Sequence, residues 1–494
     1  VENGQIVAIG AEREILNEYH ADQSIDAGQR PIFPGFIDAH CHFLGYGRTR
    51  AEVSLDSTAS FVDVLSRLKN AKPNARGWVI GRGWDQNDWS DQSFPSRQGL
   101  DSLFPETPVS LKRIDGHAIF VNEKALQLAG IKPSSSIAGG SIDYERGILV
   151  DNAMALVERL IPEYTEAEDA EALMQAQADC FAAGLTTIDD AGLMKSQVDL
   201  IKRLHQDGSL KMRIYAMLAD DSTNFNHYLK AGIDTSDRLS VRAFKFYADG
   251  ALGSRGACLL APYSDVLPNP TFGSMLQPQA YYEQCAAALF AKGFQMCTHA
   301  IGDSANRMML QVYGKVLKGS SDARWRIEHA QVVHQADMPL FQAFHIIPSI
   351  QPTHATSDAP WAIFRLGQQR MMRAYAYQSL KKQLGMVALG TDFPVEQISP
   401  IRTFYSAVVR KYNSPTGAIL FQPEEALTRE EALRGMTIWA ALSNFEEQKK
   451  GSLEIGKFAD LVMLDRDIME CAEDAILGTQ VWMTVVGGEV VYRQ

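Results

Sequence analysis

No stretch of this 494-residue chain is both long and apolar enough to suggest a membrane span, which takes about 18 residues. Basic runs are missing too. The formal net charge is −12, so nucleic acid is excluded as an expected partner. The cysteines (Cys41, Cys180, Cys258, Cys285, Cys297 and Cys471) are scattered and form no CxxC pair. They read as reduced, mostly buried thiols and exclude a disulfide framework. There is no GxGxxG after an early strand, no internal repeat and no low-complexity segment. What remains, 46% hydrophobic and 21% charged, is an ordinary globular composition, long enough for one large domain and a smaller one. The chain begins at Val1, in a stretch (VENGQIVAIG) that already reads as strand. A cytoplasmic location is the expectation, with a periplasmic or secreted one as the alternative if a leader preceded Val1.

Strand-like and helical stretches alternate through the middle of the chain. Residues 168–185 carry helical apolar spacing with Gly184 near the end, and TTIDDAG follows as a β element. Residues 238–250, 293–303, 324–331, 344–354 and 385–394 read as further strands. That rhythm predicts an α/β fold with a parallel sheet, and its number of units favours a (β/α)8 TIM barrel over an open doubly wound sheet. Two regions break it. Residues 44–150, rich in Gly, Pro, Trp and Asp, read as an insertion after the first strand that helps to cover the site. Residues 1–34 and 447–494 are short strands separated by Gly and Asp turns, predicting a small β-sandwich domain built from both termini around a barrel over 35–446.

Histidine is scarce, at 11 residues, yet two stand one residue apart in GFIDAHCHF. In a strand, residues i and i+2 share a face, so His40 and His42 can converge on one point. His299 ends QMCTH, His329 ends RIEH and Asp392 follows VALGT. These are strand C-terminal ends, where a barrel keeps its working residues. Four imidazoles and a carboxylate suit a borderline divalent ion such as zinc, one or two per chain. Lys245 in VRAFKFYAD shares its parity with Val241, Ala243 and Tyr247 and is expected to point inward, in the fourth strand. Buried and neutral, it could add CO2 to become a metal-bridging carbamate; the competing reading pairs it with Asp249 or another acid. His117 and His354 are candidates to face substrate. Asp249, Gly250 and Arg255 are read as shaping the loop beside Lys245, with Asp249 and Arg255 also expected to contact substrate, and Trp84, Asp85 and Trp89 as lining the pocket. His20, His205, His227, His334 and His345 are left as surface or packing residues.

In these motifs the chain resembles amidohydrolase-superfamily enzymes of the subgroup that contains N-substituted formamide deformylases. The likeness runs through PGFIDAHCHF, GRGWDQNDW, DGHAIFVNEKAL, FKFYADGALGSRGA, THAIGDSANRMML, RIEHAQ, GTDFPVE and KGSLEIGKFADLVMLD. The resemblance implies metal ligands from His40, His42, His299, His329 and Asp392, and a carbamylated lysine, known in parts of the superfamily, at Lys245. Asp392 would then orient a metal-activated water and shuttle its proton. The expected activity is hydrolysis of an amide-type, non-peptide C–N bond in a small molecule. Deamination and ester or cyclic-amide hydrolysis are alternatives on the same site, and a non-catalytic binding protein is the competing class. The Trp and Phe content of 44–150 hints at an apolar or aromatic substituent on the substrate, and a homodimer is the expected assembly for a soluble enzyme of this kind.

Overall fold

A computed structural model describes the chain except for Leu267, Ser320, Pro415 and Thr416. Eight parallel strands follow one another around a (β/α)8 barrel: β1 (Phe36–Cys41), β2 (Leu185–Leu193), β3 (Arg213–Ala219), β4 (Leu239–Tyr247), β5 (Gln295–Ala300), β6 (Arg326–His329), β7 (Ile347–Ile350) and β8 (Ala388–Leu389). Helices cover the outside. The helix Glu166–Ala182 shows how sequence sets its limits. Thr165 and Glu168 form a reciprocal cap at its start. Gly184, at φ +84°, leads out of its end with no room for a Cβ beside Val462.

Along β4, Phe244 and Phe246 pack outward on the helices, while Ala243 joins Ala191, Tyr215, Met217 and Cys297 inside the barrel. The expected parity holds for Ala243, Lys245 and Tyr247 but not for Val241, which faces the helices. The register shifts between Ala216/Val241 and Met217/Ala243, so a bulge at Arg242 resets the alternation. Two strand expectations shorten. Residues 344–354 yield only β7, because Pro352 opens a helix that carries His354. Residues 385–394 yield only β8, and the chain reaches Asp392 beyond the end of that strand.

The seam between β8 and β1 is closed beyond their ladders. The Asp392 N–H donates to the His40 carbonyl and the His42 N–H to the Phe393 carbonyl, each at 2.8 Å. Asp38, 2% exposed, clamps this seam by accepting from the Thr391 N–H (2.9 Å), the Thr391 hydroxyl (2.6 Å) and the His40 N–H (3.2 Å). Gly390 is required here, since a Cβ would lie 2.5 Å from the His40 nitrogen.

Between β1 and β2 the chain builds a six-stranded mixed sheet, Val53–Ser54, Val79–Trp84, Val109–Arg113, Ala118–Val121, Ile148–Asp151 and Gly140–Asp143 in spatial order, with apolar clusters on its two faces. A four-stranded antiparallel sheet joins Ile32–Pro34 from one terminus to Leu461–Leu464, Val481–Val486 and Glu489–Arg493 from the other. Its inner face packs on the barrel through Val462, Leu464 and Val481. Met463, Met483 and Val485 form a small cluster with Ala27 on the outer face. Residues before Ile32 add single bridges, such as Gln5–Phe458, rather than a second ladder. Among the described residues no helix is long and apolar enough to cross a membrane.

Asp38→Ala would strand the Thr391 amide and hydroxyl without an acceptor. We expect a loss of about 2–4 kcal/mol, read as a lowered midpoint in a thermal melt. An unchanged melt would show that the seam does not depend on this carboxylate.

Candidate metal centre

The end of β1 delivers the first pair of imidazoles. A register shift between Asp38 and Cys41 interrupts simple alternation. His40 and His42 still converge, with ring centroids 5.8 Å apart and planes at 88°. Around the barrel mouth the rings continue at close spacing: His40–His329 at 4.9 Å, His329–His299 at 4.6 Å and His299–His117 at 4.8 Å, with His354 stacked on His329 at 5.9 Å. The turn after β8 brings Asp392 to them. Its Oδ1 lies 3.3 Å from His42 Nε2 and 3.6 Å from His40 Nε2, and its Oδ2 is 3.7 Å from His354 Nε2. Asp392 (φ +63°) and His329 (φ +71°) both occupy the left-handed region, a cost of about 1–3 kcal/mol each that the surrounding packing sustains.

The second nitrogen of most of these rings is already committed. His40 Nδ1 meets Glu328 Oε2 (2.6 Å), His42 Nδ1 meets the Ala191 carbonyl (3.1 Å) and His329 Nδ1 meets Gln351 Oε1 (2.7 Å). Each acceptor fixes the tautomer that leaves Nε2 with its lone pair toward the centre. His299 is turned the other way: its Nε2 faces the Gly250 carbonyl at 3.3 Å and Asp249 at 3.5 Å, which leaves Nδ1. His117 Nδ1 is held by Asp151 at 2.8 Å.

The Asp151 carboxylate raises His117 against its burial, but for three of the other rings burial favours the neutral imidazole. It pushes His40 down to about 4, with the Lys245 charge adding to the effect, and lowers His299 and His329 well below the ordinary value. Neutral imidazole is the ligand form. Burial alone would raise Asp392, but the close approach of the His42, His40 and His329 rings holds it well below the usual carboxylate range. Lys245 is 1% exposed, its Nζ 3.0 Å from His40 Nε2 and 4.6 Å from the centroid of the Tyr247 ring. Burial lowers it to about 8. The alternative in which it pairs with Asp249 is not what the chain adopts. That carboxylate is taken up by the amides of Ile301 (3.0 Å), Gly302 (2.8 Å) and Cys258 (2.8 Å).

These residues fit a divalent ion. His40, His42 and Asp392 have donor atoms within 4.8 Å of one another, as do His329, His354 and Asp392. The 3.3 and 3.6 Å separations match the edge of about 3.4 Å expected for a tetrahedron with 2.1 Å bonds. Asp392 Oδ1 and His354 Nε2 are buried without a hydrogen-bond partner, as groups reserved for a ligand would be.

Three expected site residues sit elsewhere. Trp84 is 1% exposed in the core of the inserted sheet, packed against Trp89 and Phe120 with its indole N–H on the Leu111 carbonyl at 2.9 Å. The tryptophans therefore stabilise the insertion, and the hint of an aromatic substrate loses its basis. Asp249 organises the loop after β4, as its three amide bonds show, and does not line the cavity. Arg255 pairs with Asp265 at 2.8 Å. Other participants escaped sequence reasoning. Glu328, held well below the carboxylate range by Arg326 and His40 although burial opposes it, anchors His40. Arg326 in turn reaches Asp189 (2.7 Å) and the Ala39 carbonyl. The alternation of Arg326 and Glu328 within a buried strand was the available signal. The site opens into a cavity of about 770 Å³, to which the inserted sheet contributes Arg82, Asp85, Arg113, Asp115 and His117.

Residues 23–492 match the amidohydrolase family, and the chain belongs to it. It is 32% identical to Protein LONG AFTER FAR-RED 3 of Arabidopsis thaliana, covering 100% of this chain and 88% of that one. It is 27% identical to the N-substituted formamide deformylase of Arthrobacter pascens, covering 100% and 94%. An uncharacterized metal-dependent hydrolase from Pyrococcus horikoshii superposes with a TM-score of 0.76 at 25% identity, over 96% of this chain and 94% of that one.

Glu328→Gln tests the support of the centre. With His40 no longer held by a carboxylate, metal affinity should fall roughly 10- to 100-fold in a chelator competition. Unchanged affinity would show that His40 needs no such anchor.

Proposed function

We propose that this amidohydrolase cleaves the amide-type, non-peptide C–N bond of a small molecule, with a divalent ion, zinc by the donor set, held by His40, His42, His299, His329, Asp392 and Lys245. The observation that carries the reading is the convergence of His40, His42 and Asp392 at coordination spacing, with the outer nitrogen of both imidazoles already hydrogen-bonded. The relative named as a formamide deformylase supports the choice of bond.

When bound, such an ion supplies Lewis acidity and brings the pKa of water to about 7. The chain's own residues do the rest. Asp392 Oδ1, buried without a partner, takes the proton of the attacking water and carries it to the leaving nitrogen. His117, its Nδ1 tied to Asp151 and its pKa raised by that carboxylate against burial, presents an Nε2–H as the imidazolium to the substrate oxygen as negative charge develops there. The inserted sheet excludes bulk water above the centre. Lys245, buried beside His40 and without a carboxylate partner among the described residues, is placed to become a carbamate: its nitrogen bonds to the carbon of CO2 and releases a proton. The carbamate would bridge two ions.

Dialysis against a chelator should abolish turnover and zinc should restore it. About two ions per chain in the presence of bicarbonate would support the carbamate bridge, and about one would leave Lys245 unmodified. Asp392→Asn should keep most of the metal and lose roughly 10²- to 10⁴-fold in kcat. Activity retained in that variant would remove Asp392 from the proton transfer.

A further inference from the structure

The inserted sheet brings two arginines to the cavity wall in opposite circumstances. Arg113 is fully matched, set between Asp85 and Asp115 with its Nε donating to Gln86 Oε1 at 2.9 Å. Arg82, on the neighbouring strand Val79–Trp84, faces the same cavity as Lys245, His299 and Asp392. Its one hydrogen bond runs from Nη2 to the Ile114 carbonyl at 2.9 Å, and its Nε is buried without an acceptor. Glu52, Asp56, Asp115 and Asp392 act on it only at longer range, and burial lowers it from its ordinary value. Among the described residues none forms an ion pair with it.

The carboxylates of the wall are differently placed. Asp358 accepts from the Tyr375 hydroxyl (2.8 Å) and Gln331 (3.3 Å), Glu396 from Ser357 (2.6 Å), and Glu52 from Tyr164 (3.4 Å). Each of these three acids has a donor from the chain, whereas Arg82 makes one hydrogen bond with its five N–H groups. A guanidinium is the side chain best matched to a planar carboxylate, and a buried cation left unmatched is costly.

We propose that the substrate carries a carboxylate on the part remote from the scissile C–N bond and that Arg82 receives it, as the specificity-determining residue of the cavity. This rests on the amide-hydrolysis reading and names its substrate class. Arg82 and Asp392 line the same cavity of about 770 Å³, so one small molecule can span the anchor and the reacting centre.

The test uses two probes that differ by the carboxylate, racemic N-formylphenylalanine and N-(2-phenylethyl)formamide, on the metal-loaded enzyme. The wild-type kcat/KM should favour the acid. In Arg82→Gln the ratio between the probes should fall roughly 10- to 100-fold, chiefly through KM, and in Arg82→Lys part of the way. Arg82→Met repeats the test should the glutamine not be tolerated. An unchanged ratio overturns the proposal. Calorimetric binding of N-formylphenylalanine separates the two readings. If neither probe is turned over, amide hydrolysis falls, yet binding that weakens in Arg82→Gln by a similar factor upholds the anchor. Binding that is absent, or equal in both proteins, overturns it.

Discussion

The hydrogen bond from the Asp392 amide to the His40 carbonyl joins the last barrel strand to the first, and the candidate metal centre depends on it. The two residues bring ligand atoms from opposite ends of the barrel sequence, and only closure sets them 3.6 Å apart. The closure itself is polar. Asp38 gathers Thr391 and His40 onto one carboxylate, and burial raises that carboxyl to about 7 despite its donors. Gly390 lets the backbones approach, since any side chain there would meet the main chain of His40. A barrel closed by apolar packing alone would leave these amides unsatisfied.

Desolvation is the second constraint. The centre gathers imidazoles, an amine and a carboxylate where water is largely excluded, so His40, His299 and His329 stay neutral, and a neutral ring must be told which nitrogen keeps its proton. The acceptors that settle this come from neighbouring strands and turns: Glu328, the Ala191 carbonyl and Gln351. Behind them, Arg326, Asp189 and Asn444 make a fully buried polar core, in which each charge is matched. The same reasoning separates the two arginines that the inserted sheet brings to the wall. Arg113 is balanced within the chain and serves the insertion, while Arg82 has a buried Nε without an acceptor and no ion pair among the described residues.

Much of this was legible in one dimension. His40, His42, His299, His329, Asp392 and Lys245 stand at or near strand ends in the sequence pattern, and the barrel brings them to one mouth. The readings that failed share a cause. Trp84 was judged by composition, but an indole with its N–H satisfied by a backbone carbonyl inside an apolar cluster is core wherever it falls in a motif. Val241 was assigned by alternation, which a single bulge resets. Arg255 and Asp249 lie next to Lys245 in the chain, yet proximity in sequence says little about which side of a loop a side chain takes.

The sequence by itself determined the kind of fold and the donor set, because hydrophobic period and residue chemistry are local properties. Alternating strand and helix patterns require a parallel sheet, and histidines after apolar runs place imidazoles at strand ends. The tertiary structure alone decided which nitrogen of each ring is offered, which carboxylate anchors His40, and which arginine of the inserted sheet faces the cavity without an ion pair. Those outcomes depend on pairings such as His40 with Glu328, 288 residues apart. No local period encodes such a pairing; it exists only once the barrel closes and the buried polar groups must satisfy one another.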